Sequence, residues 1–288
     1  MRSRINRTIF AVFLAVSGLN PALAAPQSTA SDSISAVTKI GTDYADTAGL
    51  VLRSPIIIDA RIRQIERLKG ADAAGAPANK IRVYITADVL ALIRGTDSLP
   101  QRISYIVDIA PDSRGRLPAL KKARVLLYAQ PAGGSASQVR LSGPDSQREW
   151  TAALDTQTRA ITREVLDPNA PPAITGIGNA FYVPGSLPGE GETQIFLTTQ
   201  ANRPVSINVL RRPGEARQWA VALSEIVDEA AAPPLRDTLL WYRLACALPP
   251  ALPGQSLGSA SPQNAAEARE DYQFVRRALG PCSTNLPG

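Results

Sequence analysis

Between residues 55 and 142 one short run after another alternates apolar with polar side chains, and that rhythm limits the fold more than any other feature of the chain. In residues 55–68 (PIIIDARIRQIERL), Ile56, Ile58, Ala60 and Ile62 alternate with Ile57, Asp59, Arg61 and Arg63, the pattern of a half-buried strand. A Gly/Ala/Pro/Asn loop follows over residues 70–79. Residues 81–94 (IRVYITADVLALIR) form a second, long strand region that ends at Gly95-Thr96-Asp97. Residues 102–109 (RISYIVDI) and 123–130 (ARVLLYAQ) give a third and a fourth, and residues 138–142 a short fifth. Five strands in about 90 residues suit a small closed or nearly closed barrel.

The segment "ITADVLALIRG", then a paired strand, then "RVLLYA", resembles the oligonucleotide/oligosaccharide-binding (OB) barrel of netrin-type modules over roughly residues 55–142. The resemblance lies in hydrophobic rhythm and lacks the cysteines those modules carry. It implies a binding fold whose members take proteins, sugars or nucleic acids, and it transfers no functional residue.

Residues 150–166 (WTAALDTQTRAITREVL) are helical by spacing, with Ala153, Leu154, Ile161 and Val165 on one face and Asp167-Pro168 as the stop. The Pro-rich residues 168–172 (PNAPP) are the candidate domain boundary. Strands are then expected over residues 180–183, 192–199, 205–211 and 218–223, joined by turns short enough to demand an antiparallel meander. A helix over residues 235–248 starts at Pro233-Pro234 and stops at Pro249-Pro250. In a second helix Ser261 is the N-cap, Pro262 the first residue, and Gly280-Pro281 the end. The fold class is therefore a β-rich α+β chain: an OB-like antiparallel barrel with a trailing helix (residues 55–167), then a β-meander with a C-terminal helical pair (residues 173–288).

The N-terminus reads as an address. Arg2, Arg4 and Arg7 precede a dozen almost wholly apolar residues (8–19), and Ala22-Leu23-Ala24 supplies small residues at −3 and −1. That is the order of a secretory signal peptide over residues 1–24, cut between Ala24 and Ala25. The apolar run falls short of the ~20 residues that span a bilayer, and no later stretch reaches 18 apolar residues, so no transmembrane segment is expected in the mature chain. Residues 25–54 are a polar leader and a short helix, with Ile34, Val37, Ile40 and Tyr44 at helical spacing. Removing the address leaves 28 basic residues against 25 acidic, a net charge of +3. A surplus that small argues against nucleic acid as partner. The location implied is the periplasm or the exterior. Cys246 and Cys282, the only thiols, are then expected to form a disulfide stabilising the fold by roughly 3–4 kcal/mol. Both sit near C-terminal helix ends, so the connecting residues 249–261 are expected to run back along the first helix, or the helices to cross steeply.

With no histidine, Ser-His-Asp triads, Cys-His pairs and His-ligated metals are excluded. Two cysteines exclude a four-cysteine zinc site. Gly254-Gln255-Ser256-Leu257-Gly258 spells a nucleophile elbow but lies in a Pro/Gly/Ser linker. Gly176-Ile177-Gly178 begins like a dinucleotide fingerprint, with Phe181 in place of the third glycine, and reads as a turn. Ser35 and Lys39 have the spacing of a dyad but sit near the leader. Glu190 and Glu192, and Glu225 with Asp228 and Glu229, are carboxylate clusters of the kind that hydrolyse glycosidic bonds, and read first as solvated turn and helix acids. No catalytic, cofactor or metal residue is assigned. Arg61, Arg63 and Arg67 on one strand, and Lys121, Lys122 and Arg124 before another, suit anionic envelope polymers such as phosphorylated lipids or acidic glycans, or else form a charged outer face. Trp150, Trp219 and Trp241 read as core anchors.

The A-L-A cleavage site, the excess of Arg over Lys and the "SEIVDEA…DTLLWYRLAC" tail resemble uncharacterised signal-peptide-bearing exported proteins of alphaproteobacteria, of the sphingomonad type. The reading that follows is a non-catalytic periplasmic binding or scaffolding protein of the envelope, its partner an envelope protein or glycan. The competing readings are a carboxylate-dependent glycan hydrolase and an inhibitor of an envelope protease.

Overall fold

The computed structural model describes residues 43–95, 98–224, 231–258 and 260–282, all within one compact unit, Gly41–Gly288. The expected signal peptide, Ala24 and Ala25, the Ser35–Lys39 pair, and Glu225, Asp228 and Glu229 lie outside the described residues.

The protein is a β-rich α+β fold with two antiparallel sheets and four α-helices among the described residues. Helix α1 (Tyr44–Arg53) opens on Asp43, whose side chain accepts from the Ala45 N–H at 3.0 Å. Of the residues at helical spacing only Tyr44 belongs to it; Ile34, Val37 and Ile40 are outside the described residues. The first sheet comprises β1 (Ile56–Arg67), β2 (Ile81–Arg94), β3 (Arg102–Ile109), β4 (Arg124–Pro131), β5 (Val139–Leu141) and β6 (Gln147–Glu149). Its order is β3-β2-β1-β4-β5, with β6 continuing along the same edge of β4 as β5.

This sheet curls but does not close. Its outer strands meet at one parallel bridge, Ser104 to Gln138, with the Ser104 N–H donating to the Ser137 carbonyl at 2.8 Å. Of the two forms expected, a closed or a nearly closed barrel, full closure is corrected: the sheet is open, rolled edge towards edge. Its lining is apolar, formed by Ile58, Ala60, Ile62, Val83, Ile85 and Leu127 among others. The expectation of a half-buried β1 holds only for its second half. Ile57 is 0% exposed and Asp59 1%, because the outer face there is covered too.

Helix α2 (Ala152–Leu166) follows, capped by Thr151 on the Leu154 N–H. The second sheet is a meander of β7 (Ile174–Pro184), β8 (Gly191–Thr199), β9 (Val205–Arg211) and β10 (Gln218–Ala222), in the order β10-β9-β8-β7. Gly176 and Gly178 lie inside β7, at two register shifts, and not in the expected turn. Helix α3 (Leu239–Ala247) starts four residues later than its prolines predict. Asp237 has a φ of 60°, which breaks the helical path, and the Thr238 hydroxyl caps the Trp241 N–H. Helix α4 (Pro262–Leu279) has the expected frame, with Ser261 capping the Asn264 N–H and Gly280 at φ 71°.

A second apolar cluster spans both sheets and all four helices: Leu126 from β4, Val51 from α1, Ile161 from α2, Ile207 from β9, Leu244 from α3 and Tyr272 from α4. Each fully buried aliphatic side chain there contributes about 1.5–3 kcal/mol. Polar ties reinforce it. Asp271 of α4, 0% exposed, accepts from the Thr193 hydroxyl at 2.6 Å and from Arg211 Nε at 2.8 Å. The core therefore continues across the linker at residues 167–172, where Arg203 and Arg243 donate to the carbonyls of Ala170 and Pro171.

Cys246 and Cys282 form the disulfide, with a Cα–Cα distance of 4.9 Å. The helix geometry differs from the expectation. Trp241 Nε1 donates to the Leu279 carbonyl, Arg276 to that of Ala245, and the Tyr272 hydroxyl to that of Pro249. These contacts run in opposite chain directions, so α3 and α4 are antiparallel. The turn at Gly280-Pro281, beyond α4, is what returns Cys282 to Cys246. Among the described residues no helix is long and apolar enough to cross a membrane.

Candidate functional site: a basic groove on the first sheet

Arg61 lies opposite Asp88 of β2 on one side and Arg124 of β4 on the other, and Asp88 lies opposite Arg102 of β3. One charged row thus crosses four strands on the outer face. Two basic groups some sixty residues apart in sequence meet because β1 pairs with β4. With Lys121 and Lys122 they line a groove of about 790 Å³, whose other walls are Ile62, Arg63, Gln64 and Asp88. Arg67, at the far end of β1 opposite Val83, is not part of the lining.

Each cation is held differently. Arg124 donates from Nε and Nη2 to the two oxygens of buried Asp59, at 2.9 and 2.6 Å, and its guanidinium lies 3.7 Å from the ring centre of Trp150. The hydrogen bond to Asp59 raises the Arg124 pKa above its ordinary value. Arg63 and Arg102 both hold Asp88, at 2.8 and 3.2 Å. The bond from Arg63 draws the Asp88 carboxyl below the usual range. A register shift between Ile62 and Gln64 turns Arg63 towards that partner.

Arg61, Lys121 and Lys122 are exposed and have no acidic partner within ion-pair distance among the described residues. The two lysines are the central residues of a tight turn closed by the Ala123 N–H on the Leu120 carbonyl at 3.0 Å. Lys122 takes a φ of 73°, the left-handed value that the third residue of a type II turn requires and that glycine supplies without strain. The turn is bolted to β1 on both sides of Ile62: the Lys122 N–H donates to the Ile62 carbonyl, and the Ile62 N–H to that of Ala123.

The charges do not cancel. Arg61, Arg63, Arg102, Lys121, Lys122 and Arg124 stand against Asp59 and Asp88, a surplus of four. The net charge of residues 25–288 is +3, so the groove carries the whole of the positive excess and the remainder is close to neutral. Like charges directly opposite on paired strands repel, and at the Arg61–Arg124 pair the Asp59 carboxylate bound to Arg124 offsets part of that cost. Chemically, such an arrangement is able to receive an anion.

The other sequence candidates do not join it. The Glu190 carboxylate accepts from the Ser186 and Leu187 amides of its own loop, at 2.9 and 3.1 Å, and Glu192 accepts from Gln194. Gly254–Leu257 is a 3-10 turn rather than a strand-to-helix elbow, with Ser256 buried. Trp241 is buried and donates to Leu279; Trp150 and Trp219 are partly buried against the same core. Sequence reasoning missed Asp59 and Asp88 as supports of the groove. Both lie on the exposed parity of their strands, two and zero register steps from Arg61, which is the signal that was available. No protein-family profile matches the chain, and no curated protein matches it.

Proposed function

We propose that the chain is an exported binding or scaffolding protein of the cell envelope, and that the basic groove on the first sheet is its working surface for an anionic envelope polymer, a phosphorylated lipid or an acidic glycan. The observation that carries this reading is the surplus of four positive charges in one groove of an otherwise near-neutral chain. Export is supported by the residues 1–24 pattern and by the Cys246–Cys282 disulfide, a bond that persists in oxidising compartments.

The test is co-sedimentation of residues 25–288 with vesicles of anionic phospholipid and with an immobilised acidic glycan, against neutral controls. Retention on one anionic matrix is expected. It should fade as salt shortens the Debye length from about 8 Å at physiological strength to about 3 Å at 1 M. Lys121→Glu with Lys122→Glu should abolish it. Equal retention on neutral matrices, or by the reversed variant, refutes the groove as the working surface. N-terminal sequencing of the native protein should begin at Ala25; a chain beginning at Met1 in the cytosol refutes export.

A further inference from the structure

We infer that the groove selects a compact group bearing two neighbouring phosphates, a pyrophosphate or a closely spaced pair of phosphomonoesters, over a long carboxylate polymer. This deepens the anion-binding reading and rests on it.

Compactness comes first. Opposite residues on paired strands lie about 5 Å apart, and alternate residues of a strand about 7 Å. Arg61 and Arg124 therefore face each other across the strand pair, Arg63 lies two residues along β1 from Arg61, and the Lys121–Lys122 turn is hydrogen-bonded to β1 at Ile62, between Arg61 and Arg63. From Arg124 on β4 to Arg102 on β3 is three strand spacings, so the positive surplus occupies a patch about 15 Å across. An extended polyanion leaves most of its charges beyond such a patch. A diphosphate places three to four negative charges, about the surplus itself, inside it.

Donor chemistry points the same way. Arg124 spends two of its five N–H groups on Asp59 and keeps three, on a guanidinium already fixed by that bond and by the Trp150 ring. Arg63 spends Nη1 on Asp88 and keeps the rest. Arg61 offers an unspent fork, and Lys121 and Lys122 two point charges with three donors each. So many converging donors exceed what the two oxygens of a carboxylate can accept, and match the tetrahedral oxygens of paired phosphates. Lys122 adds a separate indication: a lysine stands at a left-handed position that glycine would fill without strain.

The experiment is isothermal titration calorimetry of residues 25–288 with inorganic pyrophosphate and, separately, with an oligouronate of matched charge at the same ionic strength. Pyrophosphate is expected to bind at least about tenfold more tightly than the oligouronate, with Arg61→Gln and Lys122→Gly each weakening it by about tenfold or more. Lys122→Gly keeps the turn and should melt no lower than the parent, which separates lost recognition from lost folding. Tighter binding of the oligouronate overturns the selectivity and leaves the anion-binding reading standing. Pyrophosphate binding untouched by both substitutions overturns it by placing the site elsewhere. If neither ligand binds, both readings fall.

Discussion

At Lys122 the backbone stores strain that the side chain does not relieve. Its φ of 73° belongs to glycine, while the turn around it is fixed by three backbone hydrogen bonds. Lys122→Gly is expected to stabilise the protein by about 1 kcal/mol, read as a higher urea midpoint at unchanged slope. Lys122→Ala, which keeps a β-carbon, should not. A glycine variant that unfolds earlier would show that the lysine's own contacts outweigh the strain. The neighbouring residues show what could be read without a structure. Alternation alone puts Arg61 and Arg63 on one face, and both are exposed there. The same rule puts Asp59 on that face, but the structure buries it to 1% beneath Arg124. Long-range pairing made the difference. Nothing local to residues 55–68 says that β4 is their neighbour, so two basic groups legible separately were not legible as one groove.

Elements with a clear alternation or a capping residue were legible to within a residue or two, and so was β4, a continuous apolar run buried on both faces. β2, β3 and β9 keep their expected bounds, and α4 starts and stops at its caps. Of the short helix expected within residues 25–54, the spacing read from Ile34, Val37, Ile40 and Tyr44 stops where α1 begins, at Tyr44, and Gly49 in the middle of α1 weakens its own helical signal. β6 is Gln-Arg-Glu and has no apolar residue to set a strand's alternation, unlike the equally short β5. The first half of β7 is a glycine-containing stretch with two register shifts, and so reads as a turn.

Buried tyrosines tie several of these elements together and make their packing pH-sensitive. Tyr128 of β4 shares a 2.6 Å hydrogen bond with Thr158 of α2; burial pushes its phenol up to about 12, while the Thr158 bond pulls it down. Burial likewise pushes Tyr272 of α4 up to about 12, opposed by Arg276. A raised folded pKa favours the neutral form, so this stability is fully present below the unfolded value near 10 and is lost as pH rises through about 12. The urea midpoint should hold up to pH ~10 and fall steeply above it. Tyr128→Phe should lose about 1 kcal/mol at neutral pH, for the missing hydrogen bond, and show a shallower alkaline fall. A midpoint level through pH 12 contradicts the buried, neutral state of these phenols.

For the whole molecule the decisive feature is the cluster that runs from Ile57 and Leu126 of the first sheet, through the second sheet, to Tyr272 and Val275 of α4. A Pro-rich linker looks like a seam between two bodies, yet side chains from both sides of residues 168–172 fill one core. Two cores joined by a linker would unfold separately; one shared core should unfold once. The three tryptophans report from well-separated places: Trp150 under Arg124, Trp219 in β10 and Trp241 in α3. Variants that keep one tryptophan each should therefore show the same urea midpoint by fluorescence within any one variant as by circular dichroism. The staple extends the test. Cys246 and Cys282 are 36 positions apart, and opening their loop is expected to cost roughly 3–4 kcal/mol. In a shared core that loss, though its site is α3 and the end of α4, must reach Trp150 between β6 and α2, so Cys246→Ser with Cys282→Ser should lower the Trp150 transition as much as the Trp241 one. If only the Trp241 transition moves, the first sheet with its groove is a separate folding unit, and the continuity of the core across the linker does not govern stability.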